Sequence, residues 1–239
     1  MKKSLILIAT LALAVTGCKV DNYDAPDAKV FGKILDSKTG ELVCNNTNQG
    51  ASIHVIEHGY ENPSNQYWKV MNTGEYRNNF VFSNTYTISF ENCNFFPVEA
   101  KDYVIKKGDN NIDFQVTPYI RIVNPSVTKS GDIVTATFSL EAGDASKVNT
   151  VSQVQLFSYT DMHVSNQIKY NLTGGTDLQS LDESIVPGKT YTLTIDTRAN
   201  SASFKYTGKN YYFRIGALAS GSGYGEIRWN FSPLVVIRF

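Results

Sequence analysis

Along most of the chain, apolar and polar positions alternate one for one. Val134, Ala136, Phe138 and Leu140 interleave with Thr135, Thr137 and Ser139, and Tyr191, Leu193 and Ile195 with Thr190, Thr192 and Thr194. Tyr86, Ile88 and Phe90 alternate with Thr85, Thr87 and Ser89, as do Ile112, Phe114 and Val116 with Asp113 and Gln115. A period of two sends successive side chains to opposite faces of a strand. Each run therefore predicts an antiparallel strand with one face buried and one wet. Turn chemistry separates the runs: Lys38-Thr-Gly40, Asn72-Thr-Gly74, Lys107-Gly-Asp-Asn-Asn111, Lys129-Ser-Gly-Asp132, Pro187-Gly-Lys189 and Thr207-Gly-Lys-Asn210. No stretch of helical length keeps a 3.6-residue period; 143–150 and 176–184 have room for a short helical turn. The pattern predicts an all-β protein.

The alternation pauses at Thr117-Pro118 and restarts at Ile120 and Ile122. Proline has no N–H for a central ladder, so it suits a crossing between sheet systems. Residues 28–117 and 118–239 are thus expected to form two tandem β-sandwich domains, each sized for about seven short strands.

The first residues follow a different pattern. Lys2 and Lys3 precede an apolar stretch from Leu5 to Val15, followed by Thr16, Gly17 and Cys18. The stretch is shorter than the roughly 20 residues a bilayer core requires, so it reads as a secretion signal over residues 1–17. Val15-Thr-Gly-Cys18 resembles the bacterial lipobox, which makes Cys18 the expected lipid anchor to the outer membrane; several acyl chains on one residue give stable attachment. Residues 18–27, rich in Asp, Asn and Pro, read as a flexible leader. Acidic residues just after such a cysteine resemble a surface-export signal of Bacteroidetes lipoproteins. Cell-surface exposure is the expectation, with a periplasm-facing location as the alternative.

Across 239 residues, 22 Lys+Arg balance 22 Asp+Glu. Loss of Lys2 and Lys3 with the signal leaves a slight acidic excess, without a polybasic membrane patch. The absence of a positive field argues against nucleic-acid binding. Cys44 and Cys93 are the two other cysteines; in an exported chain such a pair suggests a disulfide, with two unpaired thiols as the alternative.

Three resemblances add to this reading. Val30 to Val43, with its Asp36-x-x-Thr-Gly40, together with Thr73-Gly-Glu-Tyr-Arg77 and Thr85-Tyr-Thr-Ile88, is similar to a transthyretin-like, carboxypeptidase-regulatory-like sandwich. Tyr206 to Ala217 is similar to the last strands of fibronectin III domains, with Tyr211 or Tyr212 as the corner tyrosine. The whole span from Cys18 resembles uncharacterised two-domain Bacteroidetes lipoproteins encoded beside SusC/SusD-type glycan uptake systems. The residues that carry it are Asp21-Asn-Tyr-Asp-Ala-Pro26, the strand reaching Thr39-Gly-Glu41, Tyr67-Trp-Lys69, Thr73-Gly-Glu-Tyr76, Phe95-Phe-Pro-Val-Glu99, Val116-Thr-Pro-Tyr119 and Trp229-Asn-Phe-Ser232. The resemblance implies location and SusC/SusD-type partners, and no catalytic residues.

Motifs that suggest chemistry are few. His54-Val-Ile-Glu-His58 matches the inverted zinc-protease signature, which works only on a helix. On a strand its histidines would stand roughly 13 Å apart at about 3.3 Å per residue, too far to share a zinc ion. Gly221-Ser-Gly-Tyr-Gly225 precedes an expected strand rather than a helix, which fits a hairpin tip and not a phosphate loop. Asp109, Asn110, Asn111 and Asp113 lack EF-hand spacing. No metal, cofactor or catalytic residue is assigned, and the chain is expected to be non-enzymatic. Aromatic residues where the alternation breaks are the candidates for stacking on sugar rings: Tyr67, Trp68, Tyr224 and Trp229, with Asn62, Asn65, Gln66 and Asn230 nearby to take hydroxyls. The expected function is accessory capture of polysaccharide for a SusC/SusD-type system. The alternative is a structural spacer or a module docking on outer-membrane partners.

Overall fold

A computed structural model of the chain describes residues 24–221 and 227–239; Cys18 and Tyr224 lie outside them. The described residues form two β-sandwiches and no α-helix. In the first, β1 (Ala28–Asp36) lies between β4 (Glu75–Val81) and β7 (Gly108–Asn111), and β8 (Phe114–Val116) pairs along its second half. The other sheet runs β3 (Asn65–Lys69), β2 (Ser52–Glu57), β5 (Asn84–Glu91) and β6 (Lys101–Ile105). In the second sandwich one sheet holds β9 (Ile120–Ser130), β10 (Ile133–Ala142) and β13 (Thr190–Asp196). Its other sheet runs β12 (Leu178–Ser184), β11 (Thr150–Tyr159), β14 (Asn210–Ser220) and β15 (Asn230–Phe231), and β16 (Val235–Arg238) also pairs with β14.

The alternating runs bury the expected faces. Val134, Ala136, Phe138 and Leu140 on β10 pack with Tyr191, Leu193 and Ile195 on β13 in the second core. Tyr211 is the corner tyrosine: it is buried, and its hydroxyl accepts the Tyr206 N–H at 2.9 Å. Two local expectations fail. Residues 178–184 are strand, not helical turn. Lys107–Asn111 is not a simple turn, because Gly108–Asn111 forms β7, paired in parallel with β1. This edge strand has no apolar alternation because side-chain amides hold it: Asn110 Nδ2 donates to the Lys106 and Lys29 carbonyls, and its Oδ1 accepts the Lys106 N–H at 2.9 Å. Asp113 likewise accepts the Lys33 N–H at 2.9 Å. The Asn110 and Asp113 side-chain oxygens are thus bonded within the protein.

The domains meet through adjacent residues that face opposite ways. Phe95 lies in the first core, and Phe96 packs edge-on against Tyr119 in the second, with centroids 4.9 Å apart. Beside them, Asn94 Nδ2 donates to the Cys44 carbonyl at 2.8 Å and Asn230 Nδ2 donates to the Asn94 carbonyl at 2.7 Å. On another side of the seam, Arg121 makes a two-pronged pair with Asp36, Nε to Oδ2 at 2.5 Å and Nη2 to Oδ1 at 2.8 Å. Its third nitrogen reaches Glu141, which also pairs with Lys38.

This seam gives a pH dependence. Burial works against ionisation of Asp36, but the hydrogen bonds and charge of Arg121 outweigh it and hold the carboxyl below its ordinary 3.8. A depressed native pKa stabilises the fold above the unfolded value, and that stabilisation is lost as pH falls through the native one. Melting temperature is therefore expected to fall as pH drops below about 4. Melts of the parent and Asp36→Asn across that range check this: the variant should melt lower at neutral pH and lose less on acidification.

The disulfide expectation is corrected. Cys44 and Cys93 are both free thiols. They belong to different packed groups: Cys44 sits with Phe157, Val164 and Phe231 at the seam, and Cys93 packs against the first core. Burial raises both thiols, that of Cys93 to about 12. Protonated thiols are poor nucleophiles. A thiol-reactive dye should label neither in the native protein at neutral pH and both after denaturation. Denatured protein with no reactive thiol at these positions would show a bridge instead.

Candidate functional site

The sequence candidates separate in space. Trp68 alternates inward on β3, is 3% exposed, and packs between Tyr76 and Tyr86 with ring centroids 6.3 Å away in each case. It is a core residue, which removes it as a surface binding candidate. Its register explains this, because it pairs with Ile53, whose side chain also faces the core. Tyr67, pointing the other way, is 48% exposed, stacks on His54 at 5.1 Å and donates its hydroxyl to Glu91 at 3.4 Å. Burial and the Glu91 charge raise the Tyr67 phenol. The histidine motif lies on and just after β2, as its strand reading expects. His54 Nδ1 bonds Ser89 and His58 Nε2 bonds Thr87, so each ring is held by a neighbouring strand. Of the polar neighbours, Asn65 and Gln66 lie exposed on β3, and Asn230 is buried as a seam residue. The glycine tip beyond Gly221, with Tyr224, lies outside the described residues, and strand β15 begins only at Asn230.

Trp229 is placed differently. It precedes β15, half-buried, with its ring edge-on to Phe157 at 5.2 Å. Gly216 on β14 makes room for this pair: a Cβ there would lie 2.4 Å from Phe157 Cε2 and 2.9 Å from Trp229 Cε3. The Trp229 carbonyl is held by Asn94 Nδ2 at 3.2 Å. The indole thus stands at the domain seam, where it lines a narrow crevice with a cavity volume of about 20 Å³, room for roughly one water. The other walls are Asn45, Asn46, Gln49 and Gly50 from the first domain, and Asn166, Gln167, Arg228 and Phe231 from the second.

Side-chain amides join the walls. Asn46 Nδ2 donates to Asn166 Oδ1 at 3.1 Å, Asn48 Nδ2 donates to Gln167 Oε1 at 3.2 Å, and Gln167 Nε2 donates to Gln49 Oε1. The Asn45–Gly50 loop is itself braced: Asn45 Oδ1 accepts the Ala51 N–H at 3.0 Å and the Asn46 carbonyl accepts the Gly50 N–H at 2.8 Å. Beneath it, buried Arg214 from β14 donates Nη1 to the Asn45 carbonyl at 2.8 Å, Nη2 to the Asn72 carbonyl at 2.7 Å and Nε to the Ser232 carbonyl at 2.9 Å. Its guanidinium also lies over the Phe231 ring, 4.5 Å from the centroid. Burial lowers the Arg214 pKa from its ordinary value. An amide carries both donors and acceptors, as a sugar hydroxyl does, and an indole face accepts the C–H face of a sugar. The crevice itself admits no sugar ring, so these groups can meet a neutral, hydroxyl-rich ligand only at its solvent-facing rim.

Of the three aromatic candidates among the described residues, Trp229 alone lines the cleft. Asn45-Asn-Thr-Asn-Gln49 reads as loop composition, and Asn166 and Gln167 lie about 120 residues away from it, so no local pattern pairs them. The dense run of amides before a glycine was the one available signal.

Comparison with known proteins places the chain. Residues 28–117 match the N-terminal domain described as "Protein of unknown function (DUF3823)", and residues 120–235 match the "Domain of unknown function (DUF3823_C)". No curated protein matches the chain. Among solved structures, one from Bacteroides uniformis, called a "putative carbohydrate binding protein", is 51% identical, covers 90% of this chain and all 100% of its own, and superposes with a TM-score of 0.84. A DUF3823 family protein from Parabacteroides merdae is 20% identical over 90% of this chain and 100% of its own, with a TM-score of 0.73. One from Bacteroides ovatus is 18% identical over 89% of this chain and 99% of its own, with a TM-score of 0.71. The last two share the fold. With both of its domains matched in order, the chain belongs to the DUF3823 family.

Proposed function

We propose that this protein is a non-catalytic lipoprotein, anchored through Cys18 on the outer face of the outer membrane, that captures polysaccharide for a SusC/SusD-type uptake system. The observation that carries the glycan reading is the amide-walled seam cleft with Trp229 in it. A relative 51% identical that bears a carbohydrate-binding designation supports the same reading. The lipobox supports the anchor, and the resemblance to lipoproteins encoded beside SusC/SusD-type systems supports the partner. Affinity electrophoresis through gels containing a panel of polysaccharides tests the binding: retardation by at least one glycan is expected, and folded protein that none retards overturns it.

The closed seam also favours a second reading, a spacer or docking module without glycan binding. Two-pronged Arg121–Asp36 pairing and the Arg214 bonds tie the two domains to each other. Pull-down with the outer-membrane pair distinguishes the readings: co-purification without glycan retardation would select the module.

A further inference from the structure

One end of the first sandwich gathers exposed aromatic and apolar side chains around the point where the chain leads back to Cys18. Ala28, the first residue of β1, pairs with Val81 and with Gly108, and Asn84 pairs with Ile105. The His58 N–H meets the Thr85 carbonyl at 2.9 Å, which brings the β2–β3 loop to the same end. Toward that end Tyr60, Phe80, Phe82 and Val104 are 62%, 81%, 43% and 68% exposed, with Phe80 on the outer face of the β4 sheet and Val104 on the outer face of the β6 sheet. Phe82 is fixed there, not loose: the Ser83 N–H and hydroxyl bond the Asp27 carboxylate at 2.8 and 2.9 Å, and Tyr86 donates its hydroxyl to the Phe82 carbonyl at 2.9 Å. Ring edges and apolar surface are turned to solvent beside the chain's own entry.

We infer that this end is a membrane-contact surface, seated against the lipid headgroup layer; the inference rests on the Cys18 anchor of the proposed function. Asp27 is nine residues beyond Cys18, and a fully extended chain spans at most about 3.3–3.6 Å per residue, so the tether reaches no more than roughly 30 Å. An anchored cysteine therefore keeps this end within reach of the lipid. Phenylalanine and tyrosine rings suit the headgroup boundary, where one part is apolar and another wet. Lys106 and Lys107 lie between β6 and β7 at this end, but Asp24 and Asp27 offset them, so apolar contact rather than charge does the attaching. β1 runs from this end at Ala28 to the Arg121 contact at Asp36, nine residues, which at about 3.3 Å each puts that side of the seam roughly 30 Å along the strand from this end.

The test uses the full chain from Cys18 onward, coupled through that thiol to maleimide lipid in vesicles of phosphatidylethanolamine and phosphatidylglycerol. Phe80→Trp is compared with Val236→Trp, a 49% exposed site on β16 of the other domain, after subtraction of the Trp68 and Trp229 emission. The Phe80→Trp signal should shift to the blue and lose most of its intensity to doxyl-labelled lipids, and the Val236→Trp signal should do neither. A Phe80→Trp signal as red and as unquenched as in detached protein overturns the inference and leaves the end to a protein partner or to none. The anchor itself is read separately, by the mass of Cys18 in protein recovered from cell envelopes; an unacylated cysteine there would sink the anchor without deciding the vesicle result.

Discussion

Replacing Arg214 by alanine is expected to lower the stability of the protein by about 3 kcal/mol. The guanidinium serves three carbonyls from two domains, and the cost follows from what each carbonyl keeps. The Asn72 carbonyl retains the Asn45 N–H at 3.0 Å. The Asn45 and Ser232 carbonyls lose the arginine donors that satisfied them, and a buried acceptor left without a donor costs about 1–3 kcal/mol. The emptied volume adds a cavity term, and relief from burying an uncompensated cation subtracts from the total. In a domain pair of this size that corresponds to a fall in melting temperature of roughly 10 °C. Arg214→Met separates the contributions: it fills much of the space but restores no donor, so it should recover only the cavity part. Arg214→Lys should also fail, because one ammonium cannot reproduce a planar fork aimed at three acceptors. Thermal melts of the three variants measure this. Parent-like stability of Arg214→Met would show that the carbonyls find other donors.

Trp229→Ala is expected to weaken glycan retention about 30-fold, the loss that follows from removing an anchor contact of about 2 kcal/mol. Stability should suffer less than binding, because the indole is half-buried and its backbone bond to Asn94 does not depend on the side chain. Gly216→Ala is the companion test. Its Cβ would intrude on Phe157 and Trp229 together, so the indole must tilt while its chemistry stays unchanged. Loss of binding in both variants, each folded by circular dichroism, assigns the contact to the indole in its present orientation. Tyr67→Ala, on the outer face of β3 and away from the cleft lining, should bind as the parent does. If Tyr67→Ala alone abolished retention, the seam cleft would not be the binding site.

The four aromatic candidates show how far local pattern reaches. Tyr67 and Trp68 are neighbours in a broken stretch of alternation, and nothing local says which one faces inward. The pairing of Trp68 with Ile53 decides it. Trp229 has no such partner, since it precedes a two-residue strand, and Asn94 and Gly216 fix where its ring stands. The parallel pairing of β1 with β7 was equally hidden, because Asn110 replaces the apolar signal by which strands are usually recognised.

The regularly alternating strands, their inward faces and the all-β class follow from the order of residues, because a period of two and a turn are written within a few neighbouring positions. Tertiary structure alone decided the seam: Arg214 meeting Asn45, Arg121 meeting Asp36, Asn46 meeting Asn166, and two cysteines going to separate cores. These contacts join groups 85 to 169 positions apart. Polar loop residues carry no periodicity to announce such partners, so only the packing of one sandwich against the other brings them together.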